Sequence, residues 1–202
     1  HWHASPERDG MIYQDEVGLM DLPRPGLPGD YQIQNAGMAL AALRHLGCDA
    51  AACEAAVVQA EWPARMQRLR TGPLVEQGGQ AELWLDGGHN PAAGAALASV
   101  LRSLPKRPTH LICGMLNTKD ARGYMQPLTR HLDSLIAVSI PGEKNTLPAA
   151  DTAKAARDVG ITAQEAPDVH AALSVIVSRE PKARILICGS LYLAGVVLRE
   201  NG

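Results

Sequence analysis

From residue 82 onward, short apolar runs alternate with stretches of helical spacing, and that rhythm leaves few folds open. The runs are Glu82–Asp86, His110–Cys113, Ser134–Ser139, Ile161–Glu165 and Ala183–Cys188. Between and after them, Pro91–Leu104, Ala121–Leu132, Ala149–Val159, Val169–Ser178 and Leu191–Arg199 read as helices. Strands that alternate with helices at this spacing predict an α/β fold, a mostly parallel sheet with helices on both faces. Leu111-Ile112-Cys113 and Ile185-Leu186-Ile187-Cys188 are apolar at every position, as strands covered on both faces must be.

The preceding sixty residues follow no such rhythm. Pro6, Pro23, Pro25 and Pro28, with Gly10, Gly18, Gly26 and Gly29, punctuate the first thirty. These thirty are expected to be irregular, with pieces such as Met11-Ile12-Tyr13 and Val17-Gly18-Leu19-Met20 as edge strands or hairpin arms cut from a larger sheet. They should be the least ordered part of the chain. A helix is predicted over Tyr31–Leu46, with Ala36, Met38, Ala39, Leu40, Ala42 and Leu43 at helical spacing and Gly47 as its stop. A second, from about Ala50 to Gln59, follows Asp49 as its cap. Glu61-Trp62-Pro63 breaks the pattern and is the expected domain boundary.

Composition narrows the function classes. Among 202 residues, 19 Lys and Arg stand against 21 Asp and Glu, so a general attraction to nucleic acid or to acidic membranes is not expected. There is no Phe, and four Tyr and three Trp make a poor platform for stacking bases. Charges interrupt every apolar run before it reaches membrane length. The four cysteines, at 48, 53, 113 and 188, fit no common zinc spacing and read as free thiols of a reducing, cytoplasmic compartment. The chain opens on His1-Trp2-His3 without a signal-peptide pattern, and is expected to be a piece of a longer protein.

In a parallel α/β sheet, ligands collect where strands end and helices begin. The sharpest such end is Asp86-Gly87-Gly88-His89-Asn90-Pro91. Two glycines allow a tight turn and a close approach to a ligand. Asn90 is placed to cap a helix and Pro91 suits its first position. The helix start favours an anion. A cap alone explains Asn90 and Pro91, but not Asp86 and His89 beside a glycine pair. Asp86 can accept hydrogen bonds from sugar hydroxyls, and His89 can donate to a phosphate or carboxylate. Two further ends follow. Gly114-Met115-Leu116-Asn117-Thr118-Lys119-Asp120 brings Lys119, with Asp120 as a cap for the next helix. Gly189-Ser190-Leu191-Tyr192 puts Ser190 at a helix start, either as a carboxylate-holding hydroxyl or as a cap only. Neither Gly-x-Gly-x-x-Gly at the Asp86 turn nor a P-loop, Gly-x-x-x-x-Gly-Lys-Ser/Thr, anywhere in these residues is present.

These motifs occur in one order: Gln34-Asn35-Ala36 opening an Ala/Leu-rich helix, Arg65-Met66-Gln67, the Asp86–Pro91 turn, Gly114 through Asp120, and Gly189–Tyr192. That order resembles the C-terminal half of folylpolyglutamate synthase/dihydrofolate synthase, a family of Mur-type ATP-dependent acid–amino-acid ligases. The resemblance implies that residues 1–60 are the tail of a P-loop ATPase domain, 61–64 a hinge, and 65–202 a Rossmann-like C-terminal domain. It implies that Asn35, Arg65 and Asp86 bind ATP, that His89 lies close to the reacting groups as a catalytic residue, and that Ser190 serves the incoming amino acid. Lys119 occupies a family-like position without a defined role. No metal ligand falls in these residues, so Mg²⁺ ligands are expected in a preceding domain. The implied substrates are ATP, L-glutamate and dihydropteroate or folate, and the implied assembly is a monomer. Alternatives are a Mur-type ligase for another acid, or a non-catalytic nucleotide-binding module. Two positions depart from the family pattern. Ala64 stands where Gly is usual before the arginine, and a positive φ there would strain it. Gly88 stands where Ala is common, an exchange expected to be harmless.

Overall fold

A computed structural model describes residues 1–201. The chain divides into two compact units, His1–Pro63 and the residues from Ala64 on, and each is described by itself.

The first unit corrects the expectation of an irregular N-terminus. Strands β1 (His3–Glu7), β2 (Gly10–Asp15) and β3 (Gly18–Pro23) form a regular antiparallel meander. Met11 pairs with Leu22 and Tyr13 with Met20 across β2 and β3. Side chains alternate along a strand, so these four share one face. That face is buried against Ile33 and Leu40 of α1 (Tyr31–His45) and Cys53 and Val57 of α2 (Ala50–Gln59). Pro6 is tolerated because β1 is an edge strand, and Pro23 ends β3. Met38, which the spacing counted with the apolar positions of α1, is 63% exposed. Asp49 does cap α2, its carboxylate accepting from the Ala52 N–H. Asp15, at the end of β2, accepts from Arg44 Nε (2.7 Å) and Nη2 (3.0 Å). It also accepts from the N–H groups of Val17 and Gly18.

The second unit is a six-stranded sheet in the order β4-β5-β9-β6-β7-β8. Its strands are β4 (Gln67–Arg68), β5 (Glu82–Leu85), β6 (Thr109–Cys113), β7 (Ser134–Ala137), β8 (Ala163–Glu165) and β9 (Arg184–Cys188). Every pairing is parallel except that of β4 with β5. The central strands β6 and β9 are buried along their whole length, as their unbroken apolar pattern requires. Leu83, Leu85, Ile112, Ile136, Ile185 and Ile187 pack on one face with α3 (Pro73–Gly78), α7 (Val169–Arg179) and α8 (Leu191–Glu200). Alternation sends Leu111, Leu135 and Leu186 to the other face. The remaining helices, α4 (Pro91–Ser103), α5 (Ala121–Met125) and α6 (Ala149–Asp158), pack in series, α5 touching both of the others.

Four elements depart from the spacing. The helix expected over 121–132 stops at Met125 and continues as a 3-10 turn, Gln126–His131. Pro127 has no N–H to give, and its ring would strike the carbonyl of residue 123 in a continuing α-helix. The strand expected from Ile161 begins at Ala163. Ile161 still closes α6: its N–H bonds Ala156 O while the Gly160 N–H bonds Arg157 O, with Gly160 at φ 92°. This is a Schellman ending, and Ile161 is its buried apolar contact. Finally, β4 and α3 are too short to show a period and went unpredicted.

The contact between α4 and α5 is close enough to depend on a glycine. A Cβ at Gly94 would overlap the Tyr124 carbonyl oxygen, whereas one at Gly195 of α8 meets nothing nearer than Arg199 Nη1 at 3.8 Å. Gly94→Ala should therefore lower unfolding stability by about 1–3 kcal/mol, as overpacking does. Gly195→Ala should leave it unchanged or raise it by up to about 1 kcal/mol through helix propensity. Urea unfolding of the two variants checks the pair.

The first unit carries a pH response. The Arg44 guanidinium holds the Asp15 pKa at about 2 against an ordinary 3.8. The folded value is the lower one, so the stabilisation is present above about pH 4 and disappears as pH falls toward 2. Amide protection across β2 and β3 should fall over that interval in hydrogen exchange, and Asp15→Asn should abolish the dependence.

Candidate functional site

Strands β5, β9 and β6 end side by side, with Leu85 opposite Ile187 and Cys113 opposite Cys188. The loops that leave these three ends carry the Asp86 turn, Gly189-Ser190 and the Lys119 segment. They form the carboxyl edge of the sheet, where the alternation of strands and helices placed them.

Asp86 is the centre of this edge. It is 6% exposed, and its backbone N–H continues the sheet by bonding Ile187 O. Its carboxylate binds two backbone N–H groups, Oδ1 accepting from Gly88 (2.7 Å) and Oδ2 from Met66 (2.9 Å). Burial pushes its pKa up, while these two N–H groups and the Arg65 charge pull against it. The bond to Met66 reaches across twenty residues to a turn of unusual geometry. Ala64 has φ 55° and Met66 φ 46°, both in the left-handed region. An L-residue there costs about 1–2 kcal/mol. Three bonds hold the turn: Met66 N–H to Asp86, Gly87 N–H to Ala64 O (2.7 Å), and Ala64 N–H to Gln67 Oε1 (2.9 Å). The position where the family pattern has Gly does adopt a positive φ, and this chain places Ala there. Between the two strained residues stands Arg65, half-buried, its guanidinium without a hydrogen bond among the described residues.

His89 follows directly. Its Nδ1 lies 3.0 Å from Gly87 O. A carbonyl oxygen only accepts, so Nδ1 carries the proton and Nε2 keeps its lone pair in the neutral ring. Asn90 caps α4, its Oδ1 accepting from the Ala93 N–H at 2.9 Å, and Pro91 takes the first helical position. Gly88 is less replaceable than the sequence pattern implies. A Cβ there would stand 2.7 Å from Asp86 Oδ1 and 2.9 Å from Ala93 Cβ. Alanine would press on the carboxylate that holds the turn.

Ser190 sits at the start of α8, and its Oγ accepts from the Tyr192 N–H at 3.0 Å. It is 2% exposed, so the side chain works as a cap and α8 offers its first N–H groups beside the Asp86 turn. Leu191 is the neighbour on which a Gly87 Cβ would land. Lys119 is exposed in the loop after β6, where the Asp120 carboxylate caps α5. Asn35 belongs to the first unit, exposed on α1, with its Nδ2 donating to Gln32 Oε1 at 2.8 Å. Arg65, Asp86, His89 and Ser190 thus share one edge of one sheet.

Two contributors escape the sequence. Gln67 locks the Ala64 turn, and nothing in its neighbours announces that. Tyr124 is fully buried, and burial together with the neighbouring Cys188 and Cys113 thiols pushes its pKa well up. Its ring lies under Gly88, 3.7 Å from where a Cβ would be. Only the packing of α5 brings it there.

Residues 69–200 match the family model described as dihydrofolate synthetase, C-terminal domain. The chain belongs to this family. Among curated proteins it is 28% identical over 194 residues to the folylpolyglutamate synthase of Lacticaseibacillus casei, an alignment covering 93% of this chain and 42% of that protein. It is 27% identical over 215 residues to the dihydrofolate synthetase of Saccharomyces cerevisiae, covering 94% and 48%. The chain therefore spans less than half the length of these relatives. Among solved structures, E. coli FolC in complex with DHPP and ADP superposes with a TM-score of 0.79 at 25% identity, over 98% of this chain and 45% of that one. The mostly parallel α/β fold is that of the family, as the alternation of strands and helices predicted.

The turn yields a stability test. Asp86→Ala leaves two buried N–H groups without acceptors, at about 1–3 kcal/mol each, so a loss of about 2–6 kcal/mol is expected. Ala64→Gly removes the left-handed strain but also a buried methyl and some chain stiffness. Each effect is about 1 kcal/mol, so the change should stay within about 1 kcal/mol. Denaturant midpoints of both variants check this.

Proposed function

We propose that this chain is the C-terminal part of an ATP-dependent ligase that joins L-glutamate to dihydropteroate or to folates. Family membership supports the reaction class, and the observation that carries the assignment of residues is the Asp86-anchored turn holding Arg65 unpaired at the carboxyl edge of the sheet. In this reading residues 1–60 are the tail of a nucleotide-binding ATPase domain, 61–64 the hinge, and 65–202 the domain that closes over ATP. The related FolC structure contains ADP, and another folylpolyglutamate synthase/dihydrofolate synthase structure, with a TM-score of 0.79 at 25% identity over 98% of this chain and 45% of that one, has Mn, AMPPNP and L-glutamate bound.

The residues fit a nucleotide in a specific way. Arg65 is a free guanidinium suited to phosphate oxygens. Asp86 has spent one lone pair on each oxygen within the chain, so it acts chiefly by fixing Arg65 and keeps limited capacity for a sugar hydroxyl. Asn35 would meet ATP from the ATPase side. Mg²⁺, on ligands from a preceding domain, would neutralise phosphate charge. The substrate carboxylate takes the γ-phosphoryl group to become an acyl phosphate. The glutamate amine attacks its carbonyl carbon, the C–O bond to phosphate breaks, and an amide forms. His89, with Nε2 as acceptor, is suited to take a proton near the reacting groups. The first N–H groups of α8, capped by Ser190, are suited to a glutamate carboxylate. Closure of the domain excludes water from the acyl phosphate. The proposed enzyme is cytoplasmic and monomeric. No helix among the described residues is long and apolar enough to cross a membrane.

The 202-residue chain alone is expected to show no ATP-dependent addition of glutamate, since no P-loop occurs in it. In the whole ligase, Arg65→Ala should reduce kcat by about 100-fold or more, the scale of losing one preorganised charge on a transition state. Radiolabelled glutamate incorporation measures both. Activity of the isolated chain, or a whole ligase indifferent to Arg65→Ala, overturns the assignment.

A further inference from the structure

The opposite edge of the same sheet carries a concavity. A cavity of about 600 Å³ opens where β6, β7 and β9 begin, between the end of α4 and the 3-10 turn. Its volume is that of a small-molecule site. A five-residue strand spans roughly 16 Å, so this cavity and the Asp86 turn lie at opposite ends of the sheet.

Its lining is strongly cationic. Arg102, Lys106, Arg107, Arg130 and Arg184 line it, and Asp133 is the acid among its lining residues. Asp133 is already engaged, its Oδ2 accepting from the Thr109 N–H at 2.8 Å. Beside the cavity, Glu82 is shared by Arg107 (3.2 Å), Arg68 (3.2 Å) and Arg184 (3.5 Å). One carboxylate cannot neutralise three guanidinium groups. Lys106 and Arg130 are exposed and have no partner among the described residues.

Arg184 sharpens the case. It is 4% exposed, at the first position of a central strand. A guanidinium has five N–H donors, and among the described residues this one gives Nη2 to Pro105 O at 3.0 Å and turns Nε to Glu82 Oε2 at 3.5 Å. The remaining N–H donors, on Nη1 and Nη2, have no hydrogen bond among the described residues. A buried cation short of acceptors is costly, and a hydrophobic residue at the floor of a parallel strand would be the cheaper choice if structure were the only demand. The missing acceptors are what an anion in the cavity would supply.

We propose that this cavity binds a small, multiply charged anion, one bearing several phosphate or carboxylate groups. Guanidinium forks suit both groups equally, so the shared chemistry is the anion's density of charge and of acceptor oxygens. The site is separate from the one at the Asp86 edge and does not depend on the ligase assignment.

The test titrates the 202-residue chain with inorganic tripolyphosphate and, separately, with triglutamate, read by calorimetry and by amide chemical shifts. Saturable binding is expected, with shifts at residues 105–109 and 130–133, weakening several-fold as salt rises from about 50 to about 300 mM. The exposed pair Lys106→Ala and Arg130→Ala, made together, should weaken binding at least 10-fold while circular dichroism stays unchanged. Lys144→Ala, in the exposed loop after β7, should leave it within twofold, and the shifts at residues 105–109 and 130–133 should persist in Arg65→Ala. Binding of tripolyphosphate alone assigns the phosphate class, of triglutamate alone the carboxylate class, and of both a general polyanion site. Absence of saturable binding by either, or binding lost in Arg65→Ala yet kept in the double variant, overturns the proposal.

Discussion

The carboxylate of Asp86 holds the carboxyl edge of the second unit together. It follows the last residue of β5 and accepts from the N–H groups of Gly88, two residues on, and Met66, twenty residues back. The first bond shapes the turn into α4, and the second secures a segment in which Ala64 and Met66 are both left-handed. Two L-residues in that region cost about 1–2 kcal/mol each, and isolated chain would relax out of it. Charge-assisted bonds in a site shielded from water are strong enough to offset that cost. The result is that Arg65 is held at a set place between Ala64 and Met66. Burial raises the Asp86 pKa while its N–H partners oppose that, and the left-handed Ala64 and Met66 beside it are strained backbone of the kind that gathers at functional sites.

A parallel sheet gives its two ends different characters. All strands but the short β4 run the same way, so one edge collects strand ends and helix starts and the other collects helix ends and strand starts. At the first edge, glycines, caps and free N–H groups suit a phosphate or carboxylate. At the second, arginines and a lysine crowd around Glu82 and Asp133. The placement of Arg184 inside β9, at a position buried from water, shows that the cationic edge reaches into the sheet itself.

Much of this was legible in the sequence because the signals are local. Asn90, Asp120 and Asp49 cap the helices that follow them, since a cap bonds an N–H only three residues away. Strands β6 and β9 announce themselves by unbroken apolar runs. The losses also have local explanations. Pro127 halts α5 and the Schellman ending at Gly160 delays β8, two backbone details inside elements whose existence was correct. The first thirty residues looked irregular because their prolines and glycines sit at strand ends, on an edge strand and in the connection over 24–30, where they do no harm. What identifies the meander as regular is the pairing of Met11 with Leu22 and Tyr13 with Met20, which no single strand records.

The sequence by itself determined the alternating α/β plan, the turn at Asp86–Pro91 and the family to which they belong, because each depends on residues close together in the chain. Tertiary structure alone decided what Asp86 binds, why Ala64 is strained, that Tyr124 lies beneath Gly88, and that arginines from four separate segments meet at the far edge. Apart from the bond between Asp86 and Gly88, those facts concern residues tens of positions apart, and the order of the strands in the sheet brings them together.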